Sequence, residues 1–393
     1  MNPTVSRRSF LRSSAALSAG LALHPGVFAQ PPATVRTYVG TYTPPDGHGE
    51  GIYLFDFHPD TGALSNRSLA VATPSPSWIV LHPSRRFLYA VGELPNGTAT
   101  AFAVDPATGA LRLLNSVSSH GAAPCHLSFD HTGRFAIVCN YVSGTIAVLP
   151  IQPDGSLGEA TDVVQHTGVT GAPKGATNAP EGSFSTEGHD APHAHFAAPD
   201  PQGHFILAAD LGQDRIYTYS LDVSTGKLTE KSITPVPEGD GPRHLAFHPN
   251  GRWVYAITEQ GSTVMLFDYN TQTGSLRQRQ IISALPRGFL GTSYGSEILI
   301  HPRSKWLYVA NRLHDTITVF DIGTDGTLVQ TGQTSTLGDY PRHMNIDPSG
   351  HYFLVCNQRG DNITSFHIAP TTGLLTPSGH YALAGSPACI IFA

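Results

Sequence analysis

The sequence predicts an all-β fold, a seven-bladed β-propeller of four-stranded blades, with the ring closed by the C-terminal strand joining the N-terminal blade. Three observations carry this expectation. A turn ending in Gly-x-Leu follows a strand seven times: DTGAL at 60, ATGAL at 107, PDGSL at 153, STGKL at 224, QTGSL at 272, TDGTL at 324 and TTGLL at 371. A short apolar strand flanked by Pro also recurs, with leading positions 76, 124, 192, 242, 296, 341 and 387, spaced by 48, 68, 50, 54, 45 and 46 residues. Propeller blades repeat at about 40–50 residues. The last copy, PACIIFA at 387, has no strand after it, whereas the first unit, from TYVGTY at 37, has none before it. Joining the two closes the ring and removes two open sheet edges.

In chain order, residues 1–29 read as an export signal. SRRSFLR at 6 precedes a weakly apolar stretch that ends in GVFA at Ala29, and Arg7 and Arg8 followed by Phe10 and Leu11 give it twin-arginine character. The expected location is therefore the periplasm, with residues 30–393 as one propeller domain. The inner-strand copies are PSWIVLHP, PCHLSFDH, PHAHFAAP, PRHLAFHP, SEILIHP and PRHMNIDP. Each leads through a turn to an aromatic, β-branched run such as FLYAV, WVYAI or WLYVA, which is strand chemistry. No helical period separates them, which argues against a parallel βαβ fold. The interval of 68 holds an insertion, residues 166–191, rich in Gly, Pro and Ser. It joins one blade's outer strand to the next blade's inner strand, so it is either a pocket wall or a plain surface loop.

Composition narrows the partners. Only 13% of the 393 residues are charged, the net charge is −6 and no block of like charge occurs, so nucleic acid and acidic membranes are poor fits. Nothing after the signal is apolar for long enough to span a bilayer. A small neutral or anionic molecule remains, bound by a chain expected to be a monomer. Cys125, Cys139, Cys356 and Cys389 lack metal spacing and read as buried thiols, with a Cys125–Cys139 disulfide left open.

In a propeller the start of each inner strand and the end of each second strand emerge on one face. Aligned on the leading Pro, the inner-strand starts carry Ser77 and Trp78, Cys125 and His126, His193 with His195, Arg243 and His244, Ser296 and Glu297, Arg342 and His343. The second-strand ends carry Gly92 and Glu93, Asn140 and Tyr141, Asp210 and Leu211, Thr258 and Glu259, Asn311 and Arg312, Asn357 and Gln358. Polar strand ends have structural uses, but so many ionisable groups at one mouth, above apolar Val80, Leu81, Phe129, Phe247, Leu299 and Ile300, suit a small-molecule site.

Four segments, HAHFAAPDPQGHFILAADLGQDRI, GPRHLAFHPNGRWVYAITE, SEILIHPRSKWLYVANR and PRHMNIDPSGHYFLVCNQ, closely resemble the seven-bladed propeller lactonase family, which includes propeller-type 6-phosphogluconolactonases. Carboxy-cis,cis-muconate lactonizing enzymes belong to the same superfamily. The resemblance covers the whole of residues 30–393. It implies opening or closing of a lactone ring with no metal and no organic cofactor. It also implies site residues at His195, Arg243, Glu259 and Arg312, with Asp210 and Asp214 from the DLGxD pattern and Glu297 from the SEI motif.

Lactone hydrolysis needs an activated water, a stabilised oxyanion and a proton for the leaving alkoxide. Glu259 is expected as base or water-positioning group, with His195 as its partner or as general acid. Arg243, Arg312 and Arg342 suit an oxyanion, carboxylate or phosphate. His193, His244, Glu297, Arg342, His343, Asp210 and Gln358 are expected to bind substrate. His193 and His195, or Asp210 with Asn140, Asn311 and Asn357, offer metal-type ligands, but basic residues crowd the same mouth and no metal is expected. A muconolactone-type cyclase or isomerase and a non-catalytic binding propeller are the other readings.

Overall fold

A computed structural model describes residues 34–168, 170 and 175–393. The export signal expected at residues 1–29 lies outside the described residues. The rest, Ala33–Ala393, forms one compact unit. It contains seven four-stranded antiparallel sheets, each the blade of a propeller. Blade 1 combines Pro387–Phe392 with Val35–Thr41, Gly51–Phe57 and Leu64–Ala72, in the ring closure expected from the unpartnered ends. Val39 stands opposite Ile390, and Thr37 opposite Phe392. Blades 2 to 7 have inner strands Ile79–Leu81, Pro124–Phe129, Ala194–Pro199, Pro242–Phe247, Tyr294–Ile300 and Pro341–Ile346. Each inner strand touches its two neighbours, all the way round the channel.

The recurring Gly-x-Leu turn has a double use. Gly62, Gly109, Gly155, Gly226, Gly274, Gly326 and Gly373 all take φ between 69° and 88°, a region open to Gly at little cost. The turn also fastens blade to blade. The Tyr38, Tyr89, Tyr255 and Tyr308 phenols donate to the Gly109, Gly155, Gly326 and Gly373 carbonyls of the next blade, at 2.6–2.8 Å. A Cβ on Gly373 would stand 2.4 Å from the Trp306 ring, so the turn also seats against the neighbouring aromatic. This explains the Tyr repeated in FLYAV, WVYAI and WLYVA.

The core lies between blades. Trp253, Tyr255 and Leu266 of blade 5, for instance, pack on Leu307, Val309 and Phe320 of blade 6. The four cysteines are free, buried thiols, and Cys125 Sγ lies 3.6 Å from the His195 carbonyl oxygen and 3.9 Å from that of Cys139.

Candidate active site

Six of the seven inner strands begin with a bulge, seen as register breaks at Pro124/His126, Ala194/Phe196, Pro242/His244, Gly295/Ile298, Pro341/His343 and Pro387/Cys389. Side chains alternate along a strand, so the extra residue sets two consecutive side chains at different heights in the mouth. The bulged residues Cys125, His195, Arg243, Ser296, Arg342 and Ala388, with Ser77 ahead of the blade 2 strand, form an upper layer. The next residues, Trp78, His126, Phe196, His244, Glu297, His343 and Cys389, meet one another across the channel.

This lower layer is a plug. Trp78 and His126 rings lie 4.6 Å apart, His126 and Phe196 4.6 Å, and Trp78 stands edge-on to His244 and His343 at 5.3 and 5.1 Å. His244 Nδ1 is 3.0 Å from Glu297 Oε1, and His343 Nε2 is 3.6 Å from Glu297 Oε2. The Ile390 N–H donates to His343 Nδ1 at 3.2 Å, which puts the proton of that neutral ring on Nε2, facing Glu297. At the opposite end of the channel lies a cavity of about 700 Å³ walled by Val80, Leu81, Phe129, Ile346 and Phe392. Trp78 and His126 form its roof.

Above the plug the second-strand ends supply Tyr42, Glu93, Tyr141, Leu211, Glu259, Arg312 and Gln358. Glu259 Oε2 takes both Arg243 Nε, at 3.0 Å, and Arg312 Nη2, at 2.6 Å. Arg243 Nη1 also donates to the Ser296 carbonyl and lies 3.4 Å from His244 Nε2. Arg312 donates to the Gly295 carbonyl at 3.1 Å and lies over the Tyr294 and Tyr340 rings. Arg342 is 5.0 Å from the Tyr42 ring centre and 3.7 Å from Glu93 Oε2, which also accepts from Tyr42 and Ser77.

The environment separates the charge states. Burial would raise the Glu259 carboxyl, but Arg312 and Arg243 outweigh it and hold the group below the ordinary value, ionised. Burial, helped by Arg312 and Arg342, pushes Arg243 down to about 10, so it stays charged at neutral pH. Glu297 is raised by burial. Burial and the neighbouring cations lower His126, His195 and His244 well below 6.5 and bring His343 to about 4. These four rings are neutral at pH 7. His195 differs from the other three because its buried Nδ1 has no partner.

A stability consequence follows from these signs. Unfolding below pH 6.5 lets the four histidines take up protons that the folded state refuses. Each contributes stability above pH 6.5 that is lost as the pH falls through its folded value, at about 1.4 kcal/mol per pH unit and proton. Glu297, raised in the fold, works the other way, one group against four. The melting temperature is expected to be level from pH 7 to 8 and to fall steeply between pH 6.5 and 4. A scan showing no fall there would contradict neutral burial of this cluster.

The structure brings together His195, Arg243, Glu259, Arg312, His244, Glu297, Arg342 and His343. Gln358 occupies in blade 7 the place of Glu259 and Arg312, with its Oε1 buried and unpartnered. Three expected residues stand elsewhere, and one of them, Asp214, accepts from the Gly239 and Gly241 N–H groups and lies 3.1 Å from His189. His193 stacks on Tyr141 and is held by the Tyr141 carbonyl, at 2.8 Å, and by Asp190, at 3.0 Å. It lies one residue outside the strand start. Ala194, opposite Asp210, is the counterpart of Pro242, opposite Thr258, so His195 matches Arg243. Alignment on the leading Pro therefore misplaces blade 4 by two residues, whereas alignment on the trailing Asp200-Pro201 and His248-Pro249 turns gives the observed register. Asp210 is fully buried, 2.6 Å from His166 Nδ1, and accepts from the His193 and Gln213 N–H groups. It fastens the insertion.

Asn140, Asn311 and Asn357, considered as ligands, instead donate through Nδ2 to the carbonyls of Ser119, Ala284 and Thr336 in inter-blade connections. Among the described residues no group of three or more His, Cys, Asp or Glu is spaced to hold a metal ion. Tyr42, Tyr294, Tyr340 and Glu187 escaped the sequence reading. For Tyr42 a signal existed, since it follows its strand end as Glu93, Glu259 and Arg312 follow theirs.

The family described as lactonase, 7-bladed β-propeller, matches residues 36–392. A 6-phosphogluconolactonase of Bacillus subtilis (strain 168) is 35% identical over 357 residues, covering 90% of this chain and 97% of its own. A 6-phosphogluconolactonase of Pectobacterium carotovorum is 32% identical over 333 residues, covering 83% and 91%. Among solved structures, the periplasmic gluconolactonase of Pseudomonas aeruginosa superposes with a TM-score of 0.82 at 29% identity, over 91% of this chain and 99% of that one. With the blade count, the ring closure and the residues matched all in agreement, the chain belongs to the seven-bladed β-propeller lactonase family.

Proposed function

We propose that the protein hydrolyses a sugar lactone to its open-chain acid at the mouth formed by His195, Arg243, Glu259 and Arg312. The observation that carries this reading is a buried neutral imidazole with an unpartnered Nδ1, set beside a guanidinium pair locked by one carboxylate. Neutral His195 takes the proton from water as the water adds to the lactone carbonyl. Arg243 and Arg312 donate to the carbonyl oxygen as it becomes an oxyanion. The tetrahedral centre collapses, the ring C–O bond breaks, and the imidazolium returns the proton to the leaving alkoxide. Glu259, ionised and doubly bonded to arginine, is a weak base. Its role is to hold the two guanidinium groups, which reverses the division of labour the sequence suggested.

No metal enters this scheme, because three arginines at the mouth oppose a divalent cation. The twin-arginine character of residues 6–12 and the periplasmic relative support export to the periplasm. A monomer suffices, since one chain closes the ring and completes the site.

Acid release from glucono-1,5-lactone and 6-phosphogluconolactone, measured against spontaneous opening, tests the reaction. Turnover well above background, unchanged by chelator and lowered about 10²–10³-fold in Arg243→Ala, is the expected result. A folded protein that accelerates neither lactone would sink it. Replacing Arg7 and Arg8 together by Lys is expected to retain the protein in the cytoplasm, and continued export would refute the twin-arginine route.

A further inference from the structure

Residues 175–191 form a strap fixed to the mouth at successive points. Asn178 donates to Asp240 through its backbone N–H, at 3.0 Å, and through Nδ2, at 2.6 Å. The Gly291 N–H donates to the Glu181 carbonyl and the Phe184 N–H to Thr292 Oγ1, both at 2.9 Å, which carries the strap over blade 6. It then returns to blade 4, where His189 Nε2 lies 3.1 Å from Asp214. Between these anchors the Glu187 carbonyl accepts from Gln260 Nε2 at 3.0 Å, and its carboxylate accepts from the Tyr294 phenol. Tyr294 is the ring that lies over Arg312, 5.6 Å away. A Cβ on the adjacent Gly188 would be 3.4 Å from the Tyr141 hydroxyl. The strap thus sets one exposed carboxylate on the mouth wall, one aromatic ring away from the guanidinium pair.

The charge balance at that wall bears on the substrate. Arg243 and Arg312 share Glu259, and Arg342 faces Glu93, so the buried cations are already engaged by carboxylates. Among the described residues, Arg359 is a further cation at the mouth, exposed on blade 7 and stacked 3.8 Å over Tyr340. A phosphate entering beside blade 6 meets Glu187 instead, whereas a sugar hydroxyl meets an acceptor.

Resting on the lactonase reading, we propose that Glu187 is a specificity residue that selects unphosphorylated polyhydroxy lactones, accepting a substrate hydroxyl and repelling a phosphate. Glu187→Gln keeps an acceptor for the Tyr294 phenol and so preserves the strap while removing the charge.

The test compares kcat/KM for glucono-1,5-lactone and 6-phosphogluconolactone in the unaltered protein, in Glu187→Gln and in Glu181→Gln, a charge removed elsewhere on the strap. The expected result is a preference for the unphosphorylated lactone that shrinks about tenfold in Glu187→Gln, a change of about 1.4 kcal/mol. Most of it should appear as a lower KM for the phosphorylated substrate, and Glu181→Gln should keep the original preference. An unchanged preference in Glu187→Gln overturns the proposal. So does a preference for the phosphorylated lactone, and loss of that preference in Arg359→Ala would show that Arg359 reads the phosphate. Hydrolysis of neither lactone overturns the lactonase reading itself, and this proposal with it.

Discussion

Replacement of His195 by Asn is expected to lower kcat about 10²–10⁴-fold, the usual contribution of a positioned base. KM should change little, because the arginines proposed to bind the substrate stay in place. The pH profile gives an independent readout. The free ring must be neutral to act, and its burial among cations lowers it well below 6.5. The rate is therefore expected to be level across neutral pH and to fall only on the acid side of 6.5, a limb that His195→Asn removes. An acid limb retained in His195→Asn, together with a small loss of kcat, would hand the base role to another group. Glu259 would then be the first to examine, and the pair of experiments separates the two assignments.

Glu259→Ala is expected to be the most destabilising single change at the mouth. Glu259 is the shared partner of Arg243 and Arg312, whose side chains are 2% and 4% exposed. Removing the carboxylate leaves two guanidinium groups confined together in low dielectric, and breaking a buried ion pair in this way costs about 3–5 kcal/mol. Denaturant unfolding measures this directly as a drop in midpoint at constant slope. Replacing Arg243 by Met in the same chain is expected to restore part of the loss, because it removes one of the stranded charges. A Glu259→Ala protein of unaltered midpoint would mean that the three groups are solvated and that the clamp is not a structural unit. Activity should fall in every variant of this set, since the guanidinium pair loses its orientation even where the fold is recovered.

Much of the architecture was legible because its causes are local and repeated. Gly in the recurrent turn fixes φ, the following Leu and the preceding Tyr bind that turn to the next blade, and seven copies give seven blades. The unpartnered strands at 37 and 387 announced the closure for the same reason: a lone strand edge must find a partner. The polar mouth was legible too, because the ionisable residues fall at equivalent places in successive repeats.

The detail of the mouth was decided elsewhere. In a strand a slip of one residue turns a side chain to the other face, and six of the seven inner strands contain such a slip at their first residues. Neither Arg243 above the plug nor His244 within it could be assigned a height without that bulge. In blade 4 the same effect removed His193 from the site and left His195 in it. Asp210, Asn140, Asn311 and Asn357 end their strands like Glu259 and Arg312, yet they precede the mouth-facing residue by one position and serve blade-to-blade bonding.

The sequence by itself determined the number of blades, the way the ring closes, the face that gathers the ionisable residues and most of the residue types found there. Only the tertiary structure decided which of them meet. Glu259 joins arginines of blades 5 and 6, Glu93 of blade 2 faces Arg342 of blade 7 beside Tyr42 of blade 1, and Glu187 arrives from the inserted strap. Those contacts depend on bulge register and on the convergence of distant segments around one axis, and neither is encoded in the spacing of residues along a single repeat.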